Sequence, residues 1–136
     1  MKNLQALYLK AAAVQGFSAI AFGAFGAHGL GRLTALLHPA EAAARLDWVR
    51  TGAHYQQFHA AALLALAALS PRLVPGAGGR LLAAFLAGPL LFALPLYGLA
   101  LGGPLWLGAV TPVGGVLMLA GWVQLAFSLE PEPARR

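Results

Sequence analysis

Cysteine is absent from this chain of 136 residues, and charged side chains make up only 10% of it. The first absence removes disulfides, thiolate metal ligands, a Cys nucleophile and palmitoylation. The second leaves no carboxylate inside any long apolar run, so a metal site there would need imidazoles for nearly all its ligands. No nucleophile–base–acid arrangement and no phosphate-cradling glycine loop is present, so the sequence implies no metal and no cofactor. The formal charge is +5, yet the nine Lys and Arg are scattered without a basic stripe, which argues against nucleic acid. What the chain has in abundance is apolar surface, at 60% of residues. A domain this small leaves roughly 40% of its surface wet. A water-soluble monomer is therefore excluded, as is disorder, and the bilayer is the expected solvent.

A helix crossing a hydrocarbon core of roughly 30 Å needs about 20 mainly apolar residues. Segments free of Lys, Arg, Asp and Glu predict crossings over about 11–31, 51–70, 81–101 and 111–129. The last two come from one overlong run, divided at Leu101-Gly-Gly-Pro104, with Thr111 read as N-cap and Pro112 as the first helical residue. Between the first two crossings, an Ala-rich stretch over about 39–49 predicts a short helix lying in the interface, with Trp48 at headgroup level. The fold expected is all-α: an integral membrane four-helix bundle forming one domain over 1–136. The tail from Glu130 is expected to fray. A cleaved signal peptide is the competing reading of the first run, but its apolar core is longer than the usual signal segment.

Four crossings put Lys2, Lys10, Arg72, Arg80, Arg135 and Arg136 on one side of the membrane, with Arg32, Arg45 and Arg50 on the other. The positive-inside rule then predicts both termini in the cytoplasm. Trp48, Tyr97 and Trp106 fall near the outer interface and Tyr8 near the inner one.

The polar residues inside the crossings are the candidates for chemistry. In the first, Ala19, Gly23 and Ala27 stand four apart and Gly26 thins the same end, the small-residue spacing that lets helix backbones approach in lipid. The same glycines would also clear room for a ligand beside His28. The second crossing opens Thr51-Gly-Ala-His-Tyr-Gln-Gln-Phe-His59. At about 100° per residue, His59, Gln56 and Gly52 share one face, whereas His54 and Gln57 lie on the other. His59 is too deep to reach water, so His59 and Gln56 are expected to turn inward. By chain order the outer half gathers His28, Gln56, His59, Tyr97 and Thr111, candidates for a ligand or proton site or for structural hydrogen bonding. In the inner half, Gln15 and Gln124 match in depth and are expected to pair, with Ser18 and Ser128 beside them. Pro89 and Pro95 interrupt the third crossing; they either shape the bundle or free carbonyls to line a cavity.

The blocks Gly23-Ala-Phe-Gly-Ala-His-Gly-Leu30, Trp48-Val-Arg-Thr-Gly-Ala-His-Tyr-Gln-Gln-Phe-His-Ala60, Leu107-Gly-Ala-Val-Thr-Pro-Val-Gly-Gly115 and Ala120-Gly-Trp122 together resemble the domain-of-unknown-function 423 family. Its eukaryotic relatives form the transmembrane protein 256 family. The resemblance spans nearly the whole chain and implies a small bacterial inner-membrane protein without an assigned activity. His54 stands where many relatives carry Gln, which makes His28, Gln56 and His59 the better candidates for a shared role.

Three functions are consistent with the sequence. One is a non-enzymatic accessory or scaffold protein, packing with itself or with another membrane protein within the lipid bilayer. Another is a small transporter or channel using the outer His/Gln cluster. The third is a lipid- or quinone-binding protein with a cleft beside Pro89 and Pro95.

Overall fold

The computed structural model describes residues 2–37 and 39–130. Helix α1 spans Lys2–Phe25 and runs without a break through a π-helical turn, Gly26–Leu30, into α2, Gly31–Leu37. Helices α3 (Ala42–Leu69), α4 (Ala77–Ala100) and α5 (Leu107–Ala126) complete the bundle, with a 3₁₀ turn at Ser70–Arg72. Among the described residues there is no β-strand. One isolated antiparallel bridge, Leu73 to Leu129, ties the end of the chain to the α3–α4 loop, supported by Val74 N–H to Ser128 O at 2.9 Å. The chain is thus an all-α membrane bundle of four long helices.

Three of them, Asn3–Leu33, Ala77–Ala100 and Leu107–Ala126, are long and apolar enough to cross a membrane. Helix α3 is longer still at 28 residues, but its His and Gln keep it below the same apolarity. Its length also corrects an expectation. Residues 39–49 do not form a separate interfacial helix: Ala42 onward is already α3, and the short helix after the first crossing is α2. At 1.5 Å per residue α3 measures about 42 Å, close to the roughly 40–45 Å of a bilayer with its headgroups. Continuing the helix satisfies each backbone amide. A second correction concerns α5, which starts at Leu107, so Thr111 and Pro112 lie inside the helix rather than at its cap. Pro112 is the sixth residue of the helix, beyond the four amides that lack intrahelical partners, so it takes from the Gly108 carbonyl the bond an amide there would give. The tail 131–136, expected to fray, lies outside the described residues.

Helix α3 packs on α1 and α4, and α5 packs chiefly on α4, which makes α4 the central element. The α1–α3 seam is built from small residues. Buried Ala19 lies on it, and a Cβ added to Gly23 would meet Ala53 Cβ at 3.7 Å. At Gly26 the fit is tighter, with Val49 Cγ1 2.8 Å from such a Cβ. Ala27 is exposed and takes no part. The α4–α5 seam brings backbones even closer. A Cβ on Gly114 would fall 2.7 Å from Gly88 O and against the Leu91–Phe92 peptide. Gly121 lies equally near Ala84 and Phe85. Van der Waals contact of this kind is what holds helices together where lipid is as apolar as leucine. Two apolar clusters stack along the bundle. One contains Tyr8, Leu63, Leu66, Leu81 and Phe85; the other contains Leu30, Val49, Ala93 and Tyr97. Between them lies a polar layer.

Gly114→Val is expected to separate α5 from α4 and to destabilise the protein by about 3 kcal/mol. Gly115→Ala, whose Cβ meets nothing within 4 Å, leaves stability unchanged. Thermal unfolding of the two variants in one detergent checks the contrast.

Candidate functional site

The polar layer is organised by α3. Helical spacing buries Gly52, Gln56 and His59 on one face, while His54 and Gln57 are exposed on the other. Gln56 is completely buried, and its Oε1 accepts two hydrogen bonds, from Ser18 Oγ of α1 at 2.9 Å and from Tyr97 Oη of α4 at 2.6 Å. One amide carbonyl therefore joins three helices. Gly52 makes this possible, since a Cβ there would stand 2.7 Å from the Tyr97 ring. The other face of that ring stacks on Phe22, with centroids 3.9 Å apart and planes 13° from parallel.

One turn along, His59 Nδ1 lies 2.8 Å from the Tyr55 carbonyl, and Trp122 Nε1 of α5 donates to His59 Nε2 at 3.3 Å. A carbonyl oxygen only accepts, so Nδ1 carries the ring proton and Nε2 offers its lone pair to the indole. Both nitrogens are engaged, and the geometry is that of a neutral imidazole. A proton added to Nε2 would point at the Trp122 N–H. Trp122 belongs to the Ala120-Gly-Trp122 block, but sequence reasoning did not identify it as the partner of His59. The signal was an indole N–H in an apolar helix, which needs an acceptor when buried.

Gln15 does not pair with Gln124. Its Nε2 donates instead to the carbonyls of Phe85 at 3.3 Å and Leu86 at 3.1 Å in α4. Phe85 lies four residues before Pro89, which has no N–H to offer it. The side-chain amide thus supplies the hydrogen bond that proline removes from α4, and this proline frees no carbonyl to line a cavity. Gln124 lies on α5, across α4 from α1, so chain depth matched the two amides but the helix order separates them. Ser128 Oγ donates to the Gln124 carbonyl at 2.7 Å.

The other expected site residues are dispersed. His28 is exposed within the π-helical turn and takes no part in the layer. Thr111 Oγ1 is buried without a hydrogen-bond partner among the described residues, as are Gln15 Oε1, Gln56 Nε2 and Gln124 Nε2. No group of three or more metal-ligating side chains occurs among the described residues.

One buried charge escaped the sequence reading. Arg45 is only 8% exposed; Nη1 donates to the carbonyls of Leu99 at 3.4 Å and Ala100 at 3.1 Å, and Nε and Nη2 reach Glu41 Oε2. The cation therefore caps the C-terminus of α4, where its unpaired carbonyls concentrate negative potential. Gly102, at φ 89°, turns the chain close beside the guanidinium.

Gln15→Leu is expected to leave the Phe85 carbonyl unmet and to destabilise the bundle by about 1–3 kcal/mol. Tyr97→Phe, which leaves Gln56 its Ser18 bond, should cost about 0.6 kcal/mol. Unfolding in mixed micelles ranks the two, and a Gln15→Leu variant no weaker than Tyr97→Phe would refute the role of Gln15.

Comparison with known proteins agrees with this architecture. Residues 22–115 match the family described as "Protein of unknown function (DUF423)", a span holding Gln56, His59, Pro89 and Tyr97. The chain is 42% identical over 128 residues to a UPF0382 membrane protein of Haemophilus influenzae, covering 93% of this chain and 94% of that one. It is also 42% identical over 112 residues to the UPF0382 inner membrane protein YgdD of Escherichia coli, covering 82% and 79%. The UPF0382 membrane protein YwdK of Bacillus subtilis is 35% identical over 116 residues, covering 83% and 87%. No solved structure matches the chain. Motif blocks, apolar helices and full-length relatives converge, and the chain belongs to the DUF423 family of membrane proteins.

Proposed function

We propose that this protein is a non-enzymatic accessory or scaffold protein of the bacterial inner membrane, working through its apolar outer surface. The observation that carries the reading is where the inward polar groups end. Gln15 repairs a proline break, Gln56 ties three helices and His59 is closed between Tyr55 and Trp122. These contacts hold the bundle together and leave no acid–base pair poised for a reaction. The outward faces of α5 and of the middle of α1, by contrast, are apolar. On α5, Val113, Val116, Leu119 and Val123 are exposed, and on α1 Phe17 and Ile20 are exposed. Such faces suit a second copy or another membrane protein.

The topology proposed has four crossings, α3 included, with both termini cytoplasmic. Its support is the larger share of Lys and Arg on the side of the termini and the α3–α4 loop. The absence of Cys makes the test direct, since any introduced thiol is the sole target. In intact cells an impermeant maleimide should label Leu105→Cys and leave Asn3→Cys unlabelled until the membrane is broken. The reverse pattern would invert the topology.

A transporter or channel is the second reading, favoured by the buried Nε2 of Gln56, which has no partner among the described residues. The two readings separate by substitution. For the scaffold, Val116→Phe together with Val123→Phe should reduce the mass of the native assembly without lowering the melting temperature, while His59→Gln keeps it. For the transporter, His59→Ala should abolish an ion flux in proteoliposomes that the α5 double variant retains.

A further inference from the structure

A cleft of about 280 Å³ opens between α3, α4 and α5, lined by Tyr55, Phe58, His59, Phe92, Met118 and Trp122. Pro89 and Pro95 are not among its lining residues. Phe58 and Leu119 at its rim are 55% and 68% exposed, so in a bilayer the mouth faces acyl chains. His59 lies ten residues from the end of α3, about 15 Å along the axis and near mid-depth of a roughly 30 Å core. Anything that enters must therefore arrive dissolved in the membrane.

We propose that this cleft binds a lipid-soluble ring compound carrying a hydroxyl, for which a hydroquinone is the chemical type. Size sets the first limit. The volume falls just below the about 300–1,000 Å³ usual for small-molecule pockets, enough for a ring headgroup but not for a whole phospholipid. The lining sets the second. Tyr55 and Phe92 have centroids 4.7 Å apart, and those of Phe58 and Trp122 are 5.7 Å apart, so the walls are ring faces and edges suited to another ring. Met118 adds a polarisable contact.

The polar floor sets the third limit. The Trp122–His59 bond, at 3.3 Å, is longer than the usual range for an N–H donor and is the weakest link at the cleft. Opening it exposes one donor, the indole N–H, and one acceptor, Nε2, because Nδ1–H stays on the Tyr55 carbonyl. A hydroxyl matches both at once: its oxygen accepts from Trp122 and its hydrogen is donated to His59. A quinone carbonyl accepts only, which leaves Nε2 without a partner in an apolar site. The cleft should therefore discriminate the reduced ring from the oxidised one.

The test uses a decyl-substituted benzohydroquinone and the matching benzoquinone, titrated into the full chain in nanodiscs. Trp48→Phe and Trp106→Phe make Trp122 the sole emitter, since the chain holds three Trp. The expected result is a saturable change in emission, with the hydroquinone bound about tenfold more tightly, the value of one added hydrogen bond. His59→Phe should bring the two affinities to within about twofold by removing the acceptor. Gly115→Leu should abolish saturable binding of both probes at an unchanged melting temperature, because its side chain enters open space in the cleft. Non-saturable emission in the parent chain, a signal that survives Gly115→Leu, or equal affinity for the two oxidation states would each overturn the proposal. The Gly115→Leu comparison decides the matter even if His59→Phe fails to fold.

Discussion

Hydrocarbon offers no hydrogen bonds, and this single constraint arranges the interior of the bundle. A carbonyl deprived of its amide in water would turn to solvent; in lipid it must be met from within the protein. Pro89 creates such a carbonyl at Phe85, and the answer comes from Gln15, on a helix 70 positions earlier in the chain. The same requirement explains why Gln56 takes donors from two helices, why the indole of Trp122 ends on an imidazole and why Arg45 reaches the last turn of α4. The α1–α3, α1–α4, α3–α4 and α3–α5 junctions each carry such a contact, whereas the α4–α5 seam rests on its glycines.

The two kinds of contact divide the labour. Small residues set how near two helices come, as Gly26 does against Val49 and Gly114 against the backbone of α4. Polar contacts set rotation and register, because a hydrogen bond across helices is lost when a helix turns by one residue. Tyr8 Oη on the Gly78 carbonyl, at 2.7 Å, fixes α1 against the start of α4 in the same register that brings Gln15 to Phe85. A seam of small residues alone would allow sliding, and hydrogen bonds alone would hold the helices loosely.

Much of this was legible in the sequence, for physical reasons that also mark where legibility stops. Apolar runs located the four long helices, since the bilayer fixes their length. Helical periodicity separated Gln56 and His59 from His54 and Gln57, and the spacing of four pointed to Ala19 and Gly23 on the seam but also to Ala27, which is exposed, while its neighbour Gly26 makes the contact. Partners were harder to read. Depth matched Gln15 to Gln124, but depth says nothing of the order of helices around a bundle, and α4 stands between them. The offset from Pro89 to Phe85 was present in the sequence, yet its significance appears only once α1 and α4 are known to lie side by side. Arg45 was read only as one of the charges on the outer side, because nothing in the chain announces that α4 ends against it. The start of α5 was misplaced because Thr-Pro, a strong local signal, is outweighed by the favourable helix that begins at Leu107.

The one-sided attachment of α5 has a mechanical consequence. With 20 residues it is about 30 Å long, equal to the hydrocarbon core, whereas α4 has 24 residues and about 36 Å. Its fully buried residues are Gly114, Met118 and Gly121, all on one stripe, while Val113, Val116, Leu119 and Val123 outside that stripe are exposed. When membrane thickness changes, the long central helices are braced from several sides, but α5 is free to pivot about its glycine seam. Hydrophobic mismatch in the surrounding bilayer would therefore be absorbed first as tilt of α5.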